Sequence, residues 1–355
     1  MNKKTAYAIG LMSGTSLDGL DLVYVKFIHE NRYDFQILAA DTIDYSSDWR
    51  KQLKNAIHFN VESIEKLDYN YGICLGEQVN HFIQKHQIKQ LDFIASHGHT
   101  VFHQPEKGIT KQIGNGQAIA DVTKHLVVCD FRTQDVKLGG QGAPLVPIGD
   151  RLLFAQYDAC INLGGFANIS YEVHGKRIAF DLCPVNVVLN HLSRQLNCTH
   201  DEDGMLSSKG KVNTKLLEQL NQLDFYKTSP PKSLGIEWVH QQIFPILESY
   251  DQEIHNLLRT FVEHSAIQIA NNISNYEQVL FTGGGVFNPV LMQRIESLSS
   301  SKIIVPDPEI INFKEALIFA FLGWRKLENQ VNCLSSVTGA RLDHSSGEIF
   351  NPKAV

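Results

Sequence analysis

Three short glycine-containing turns carry the chemistry this chain could do. They are Ser13–Ser16, Gly164–Gly165 and Gly283–Gly285, and each follows an apolar run that reads as a strand. Such a turn brings the backbone close to a ligand and offers free N–H donors, which together can hold a phosphate. The first is the richest, because Met12-Ser-Gly-Thr-Ser-Leu-Asp-Gly19 contains two glycines and three hydroxyl side chains. Asp18-Gly19 is equally the chemistry of an ordinary tight hairpin, so this stretch alone leaves both readings open. None of the turns fits the Gly-x-x-x-x-Gly-Lys-Ser/Thr phosphate loop, nor Gly-x-Gly-x-x-Gly opening a helix. Three turns in strand-end positions point to a split nucleotide site, with three structural turns as the alternative.

The ionisable candidates lie at other strand ends. Asp181 follows Ile178-Ala-Phe180 and precedes Pro184, which places it in an irregular loop. A carboxylate there can act as general base on a hydroxyl or water, or it can cap the helix that begins at Asn186. Asp130 and Arg132 end a further strand. Arg132 suits a carboxylate or phosphate through paired hydrogen bonds, and a structural Asp–Arg pair fits the same two residues. His97, His99 and His103 have the odd spacing that would put three metal ligands on one face of an extended chain. Gly98 and Pro105 argue for a loop instead, and no carboxylate or cysteine completes the set. Hydrogen-bonding loop histidines are the expectation.

The elements that must position these groups alternate along the chain. Ala6–Met12 and Leu20–Phe27 read as paired strands around the first turn, with Tyr33–Ala40 as a third. Ile64, Leu67, Tyr71 and Leu75 have helical spacing within 61–86. Leu91–Ser96 is a short buried strand expected to deliver His97–Thr100 into a loop, and Leu126–Asp130 does the same for Phe131–Asp135. The Gly/Pro-rich passage Leu138–Ile148 is a candidate boundary. The second half restarts with Ala159–Leu163, the turn Gly164-Gly-Phe-Ala-Asn168 and Ile169–Val173. Helices are expected at 186–196 and 214–223, and as one long element over 240–275. Strand 278–281 leads to Gly283–Gly285, Asn288-Pro289 starts another helix, 303–305 is a last strand and 314–327 a last helix. Two halves that each open with a Gly/polar hairpin and continue in βαβ-like alternation predict a duplicated α/β architecture with a cleft between domains. The expected domains are residues 1–145, completed by the tail 336–355, and residues 146–335.

Composition sets the remaining bounds. The chain has 355 residues, 43% hydrophobic and 20% charged, and a net charge of −6. That balance fits a globular protein and gives no reason to expect nucleic-acid binding or an anionic membrane surface. The N-terminus lacks the apolar core of a signal peptide, and no segment approaches a membrane span of about 18 apolar residues. Six scattered cysteines without Cys-x-x-Cys spacing are expected to be reduced. A cytoplasmic location follows.

The ordered motifs resemble one family over nearly the whole chain. Ile9-Gly-Leu-Met-Ser-Gly-Thr-Ser-Leu-Asp-Gly-Leu-Asp21 looks like the opening motif of the anhydro-N-acetylmuramic acid kinases. Ser96–Pro105, Asp130–Pro147, Asn162–Asn168, Pro230–Gly235, Thr282–Gly285 with Asn288, and Lys314–Ala316 resemble its later blocks in the same order. The resemblance implies a two-domain actin/Hsp70/sugar-kinase-type (ribonuclease H-like) fold that closes over ATP and sugar. It implies hydrolytic opening of 1,6-anhydro-N-acetylmuramic acid with phosphorylation at O6, giving N-acetylmuramic acid 6-phosphate and ADP, in cell-wall recycling. ATP and Mg²⁺ are the implied cofactors, a small amino sugar is the partner, and a homodimer is a candidate assembly. By the same resemblance Asp181 is the base. Gly14, Thr15, Ser16, Leu17, Asp18, Gly19, Leu20 and Asp21 contact ATP, as do Gly164, Gly165 and Asn168. Gly283, Gly284, Gly285 and Asn288 face the nucleoside, and His97, Asp130, Arg132 and Asn186 lie near the sugar. No metal ligand is assigned.

The chain departs from the family in one block. The family reads Asp-Thr-Gly-Pro-Gly-Asn where this chain has Asp181-Leu-Cys-Pro-Val-Asn186, and His99 stands where the family has Gln. Glycine permits positive φ or close ligand approach, whereas Cys183 and Val185 restrict both. Two rival readings follow: a kinase of the same fold acting on another sugar, and a non-catalytic sugar or nucleotide sensor. Retention of Asp181 and all three turns argues against the sensor.

Overall fold

The computed structural model describes residues 3–14, 17 and 19–354. The chain forms two compact units, Met1–Leu153 with Phe313–Val355, and Phe154–Asn312. Residues 146–153 and most of the last long helix therefore pack in the first unit, where the sequence reading had put them in the second domain.

The first unit is built on β1 (Lys4–Ser13), β2 (Leu20–His29), β3 (Tyr33–Ile43), β4 (Phe93–Gln104), β5 (Ile109–Ile113), β6 (Val127–Cys129) and β12 (Glu348–Phe350). Its sheet runs β3-β2-β1-β4-β6-β12, with β5 attached to β4. β1, β2 and β3 are antiparallel neighbours, whereas β4 lies parallel to β1 and β6 parallel to β4. The second unit holds β7 (Ala159–Leu163), β8 (Phe166–Val173), β9 (Lys176–Pro184), β10 (Gln278–Thr282) and β11 (Lys302–Ile304), in the order β9-β8-β7-β10-β11. Again the first three strands are antiparallel and the next two run parallel to β7. Each unit is thus a hairpin meander extended by parallel strands. This duplicated strand order is the actin/Hsp70/sugar-kinase-type fold.

Helices cover the sheets by burying one apolar stripe each. α1 (Val61–Lys85) starts at Asn60, whose side chain accepts from Ser63 N, and buries Ile64, Leu67, Tyr71, Leu75, Val79 and Phe82. Short α2 (Thr133–Lys137) follows β6. In the second unit α3 (Asn186–Arg194) and α4 (Ile254–Ile273) pack on the sheet through Val188, Leu189, Leu192, Leu258, Phe261 and Ile269. α5 (Pro289–Leu298) begins at Asn288, and α6 (Pro308–Leu327) is the last long helix.

Three sequence expectations change. β4 does not stop at Ser96: its second half pairs antiparallel with β5, His99 opposite Ile113, so His97 and His99 lie within a strand. Gly98 (φ +73) is a bulge, not a loop residue, and a Cβ there would stand 2.5 Å from Ile113 O. β9 likewise continues to Pro184, which moves Asp181 from a loop into a strand and leaves Val185 in the cap position of α3. The expected helix over 240–275 divides. One helical stretch ends at Glu248, where Ser249 N closes on Pro245 O and Ile246 O, and α4 starts at Ile254. The polar run Ser249-Tyr-Asp-Gln-Glu253 offers no stripe to carry a helix across.

Candidate active site

The second unit aligns its candidates in one row across the sheet. Thr282 of β10 pairs with Asn162 of β7, Asn162 with Asn168 of β8, and Asn168 with Asp181 of β9. Cross-strand partners project on the same face at about 5 Å spacing, so the row carries Asp181 into register with both glycine turns. A bulge between Ala167 and Asn168 sets this register, because Ala167 pairs with Cys183 and Asn168 with Asp181. Leu182, the extra residue, turns into the core with 1% exposure.

The glycine turns are held by backbone. Val185 N and Val187 N donate to Gly165 O, and Asn186 N to Gly164 O, so the β7–β8 turn is clamped on the N-terminus of α3. Asn186 Nδ2 donates to Leu163 O at 3.4 Å. Gly283 (φ +84) approaches so closely that a Cβ would lie 2.6 Å from Asn162 Oδ1 and 2.8 Å from Leu163 O. By contrast, a Cβ at Gly284 would meet nothing within 4 Å, and one at Gly165 only Val187 at 3.9 Å. Gly283 is therefore demanded by the fold, whereas Gly165 and Gly284 present bare backbone to open space.

Asp181 is half-buried and firmly oriented. Its Oδ2 accepts from Leu234 N at 2.8 Å, and its own N donates to Lys232 O at 3.1 Å. Burial pushes its carboxyl above the usual carboxylate range, opposed by the Leu234 N–H. The segment Pro230–Gly235 thus braces the acid. Sequence reasoning matched that segment to a family block without foreseeing its contact with Asp181. Asn288 is a different case. Its Oδ1 accepts from Leu291 N as the cap of α5, and its Nδ2 donates to Asp201 Oδ2, so both ends of the amide are engaged in the fold. Buried Asp201, which also accepts from Leu206 N and Ser207 N, was not singled out from the sequence.

The first unit brings together a second set. Arg132 Nε and Nη2 lie 3.0 and 2.8 Å from His97 Nε2, and Nη1 donates to Gly142 O at 2.6 Å. His97 Nδ1 lies 2.9 Å from Gly98 O, which fixes Nδ1 as donor and Nε2 as acceptor. Burial, then the Arg132 charge, holds this imidazole well below the ordinary histidine range, so it is neutral. Burial also lowers the half-buried Arg132 to about 10. His99 bonds Ser13 Oγ through Nδ1 at 3.1 Å, and Ser13 accepts from Tyr45, which touches Tyr71 at 2.6 Å. Burial lowers His99 to about 4. The two histidines therefore serve separate hydrogen-bond systems, as the hydrogen-bonding reading requires. Asp130 (φ +55) accepts from Thr133 N through Oδ1, while Arg132 engages His97 and Gly142.

Around the first turn, Leu17 (φ +61) donates its N–H to Gly14 O, and a Cβ at Gly19 would crowd Thr42 Cγ2 at 2.7 Å. Leu20 opens β2, and Asp21 Oδ1 accepts from Thr42 Oγ1 at 2.6 Å. Thr15, Ser16 and Asp18 lie outside the described residues.

The second unit thus offers open backbone at Gly165 and Gly284 and one oriented carboxylate, Asp181. Comparison with known proteins decides the class. The family model for anhydro-N-acetylmuramic acid kinase matches residues 6–352. The chain belongs to this family. Family relatives include the anhydro-N-acetylmuramic acid kinase of Mannheimia succiniciproducens, 34% identical over 97% of this chain and 98% of its own. The enzyme of that name from Shewanella sp. strain ANA-3 is 34% identical over 99% and 100%, and that of Vibrio vulnificus 33% over 100% of both. Among solved structures, component A of (R)-2-hydroxyglutaryl-CoA dehydratase from Acidaminococcus fermentans aligns at 12% identity and TM-score 0.43, over 89% of this chain and 96% of that one. As a member of the anhydro-N-acetylmuramic acid kinases the protein is an enzyme, a kinase that uses ATP and accepts a small sugar.

The block in which the chain departs from the family sits in the core. Leu182, Cys183 and Val185 are 1%, 0% and 0% exposed and belong to the apolar cluster beneath the second sheet. Val185 has φ −133, outside the left-handed region that favours glycine. At position 99, where the family has Gln, the histidine keeps a buried polar bond to Ser13. All six cysteines are free thiols. Among the described residues no helix is long and apolar enough to cross a membrane.

Proposed function

We propose that the protein opens the anhydro bridge of 1,6-anhydro-N-acetylmuramic acid with water and phosphorylates O6, with Asp181 as general base. The observation that carries this reading is the row Thr282–Asn162–Asn168–Asp181, which sets one braced carboxylate in register with both glycine turns of its unit. Asp181 takes a proton from water as the water oxygen attacks C1. The C1–O6 bond breaks, O6 bonds the γ-phosphorus, and the bond from that phosphorus to the bridging oxygen of ADP breaks. A carboxyl raised by burial suits a base, since it holds the proton better than an exposed aspartate.

The open backbone at Gly165 and Gly284 fits phosphate and nucleoside approach. The neutral His97 directs Arg132, whose charge suits the oxygens of the sugar; in the second unit, the amide of Asn186 suits a sugar hydroxyl. Mg²⁺, when bound, neutralises charge on the phosphate oxygens. It takes oxygen ligands, one or two of them carboxylates. Asp21, a carboxylate beside the first turn, fits that requirement directly or through water. The altered residues Leu182, Cys183 and Val185 pack in the core, which supports the family's sugar over a different one. Six free thiols support action in the cytoplasm.

An ADP-coupled assay with the anhydro sugar and with plain N-acetylmuramic acid tests the reading. Turnover of the anhydro sugar is expected. Turnover of the plain sugar alone, or of neither, overturns the assignment.

A further inference from the structure

Away from these residues, the first unit buries a mixed-donor cluster. Asp135 on α2, Cys333 and His344 are 0%, 1% and 6% exposed, and one donor atom of each lies within 4.8 Å of the others. Cys333 Sγ donates to Asp135 Oδ1 at 3.0 Å, Thr338 Oγ1 donates to the same oxygen at 2.7 Å, and His344 Nε2 stands 3.6 Å from it.

The cluster is rigid before any ligand arrives. Cys333 and His344 form an antiparallel bridge, each N–H donating to the other's carbonyl, so their side chains share a face. Asp135 is oriented by Gly142 N, which donates to Oδ2 at 2.7 Å. His344 Nδ1 lies 3.1 Å from Leu342 O, where it must be the donor. Its Nε2 is buried without a hydrogen-bond partner, 3.6 Å from Asp135 Oδ1. A cation placed between Nε2 and the Asp135 oxygen, 3.6 Å apart, would engage both. A histidine that ligates a metal through one ring nitrogen usually donates the other to a carbonyl or carboxylate, as Nδ1 does here to Leu342 O.

We propose that Asp135, Cys333 and His344 bind one Zn²⁺ as a structural site, separate from the Mg²⁺ of phosphoryl transfer. Thiolate, imidazole and carboxylate together suit zinc better than magnesium or calcium, which take oxygen ligands. On binding, the Cys333 S–H proton leaves to solvent, a Zn–S bond replaces the S–H···O contact, and Thr338 Oγ1 or water takes the fourth position. The ion joins the C-terminal segment to α2. Asp135 also holds Gly142, whose carbonyl accepts from Arg132, so the site fixes the setting of that arginine.

The test is zinc titration of the chelator-stripped full chain against a chromophoric competitor, together with Co²⁺ spectra. One equivalent per chain is expected, with a thiolate-to-cobalt band. Cys333→Ser and His344→Gln should each weaken binding at least tenfold. On the unaltered chain in mild denaturant, where the buried thiol opens transiently, Zn²⁺ should slow iodoacetamide alkylation of Cys333 at least tenfold, read by peptide mass spectrometry, so the answer does not depend on the variants folding. No stoichiometric zinc, a cobalt complex without the thiolate band, equal binding by the folded variants, or undiminished alkylation of Cys333 overturns the proposal.

Discussion

Asn168 and Asp181 stand opposite one another across β8 and β9, and the bulge that follows Asp181 puts them there. Without the bulge, the pairing Ala167–Cys183 would continue in phase to Asn168–Leu182, and every side chain of β9 below it would change face. The acid would then point into the core and Leu182 toward the ligand face. The register of one antiparallel pair thus selects which residue joins the row of Thr282, Asn162 and Asn168.

Asp181→Asn should retain that register, because an amide oxygen can still accept from Leu234 N. Turnover should fall by about 10²–10⁴, the range for loss of a general base, while nucleotide affinity, measured by calorimetry, stays within a few-fold. A variant turning over near the unaltered rate would remove Asp181 from the mechanism.

The pH dependence has a definite sign. A base works as the carboxylate, so kcat/KM should fall as pH falls through the folded value, which burial raises above the ordinary one of about 3.9. Linkage makes the same shift a stability term. The folded state binds this proton more tightly than the unfolded state does, so stability decreases as pH rises from the unfolded value through the folded one. Asp181→Asn lacks that loss and should melt higher than the unaltered protein at pH 7, with the difference closing in acid. Thermal melts at several pH values check this, and a lower melting point at pH 7 counts against burial as the cause.

Two adjacent glycines separate fold from ligand. Gly283→Ala forces a Cβ into Asn162 Oδ1 at positive φ and should destabilise by about 1–3 kcal/mol. Gly284→Ala meets nothing within 4 Å and should leave stability unchanged within about 0.5 kcal/mol. If nucleotide approaches that backbone, the second variant nonetheless raises KM for ATP several-fold. Denaturant unfolding and ATP saturation curves read the two effects apart, and an unchanged KM at position 284 would take the nucleoside elsewhere.

Much of this was legible in the sequence because it rests on local patterns. The opening hairpin, the stripe of α1 at Ile64, Leu67, Tyr71 and Leu75, and the Asn288-Pro289 helix start all follow from spacing and capping. Errors arose where long-range pairing overruled a local breaker. Gly98 and Pro184 read as loop signals, but β5 and β8 supply ladders that carry β4 and β9 through or up to them. The bond from Arg132 to His97 and that from Leu234 to Asp181 join residues far apart in the chain, and no single-sequence pattern encodes such contacts. Leu182, Cys183 and Val185 looked like changes to a pocket because the motif was read as a loop. As strand and cap residues they face the core.

Arg132 offers the sharpest test of the sugar side. Its guanidinium directs two nitrogens at His97 Nε2 and a third at Gly142 O, a fork that a lysine ammonium cannot reproduce. Losing charge-assisted bonds of this kind costs about 1.5–3 kcal/mol each. Arg132→Lys should therefore lower kcat/KM for the anhydro sugar by about 10–100-fold while KM for ATP changes little. His97→Gln keeps an acceptor for Arg132 and should retain more activity than His97→Phe, which leaves the guanidinium without one. Steady-state kinetics with each substrate varied in turn distinguish these outcomes. If both His97 variants behave alike, the imidazole is not what orients Arg132.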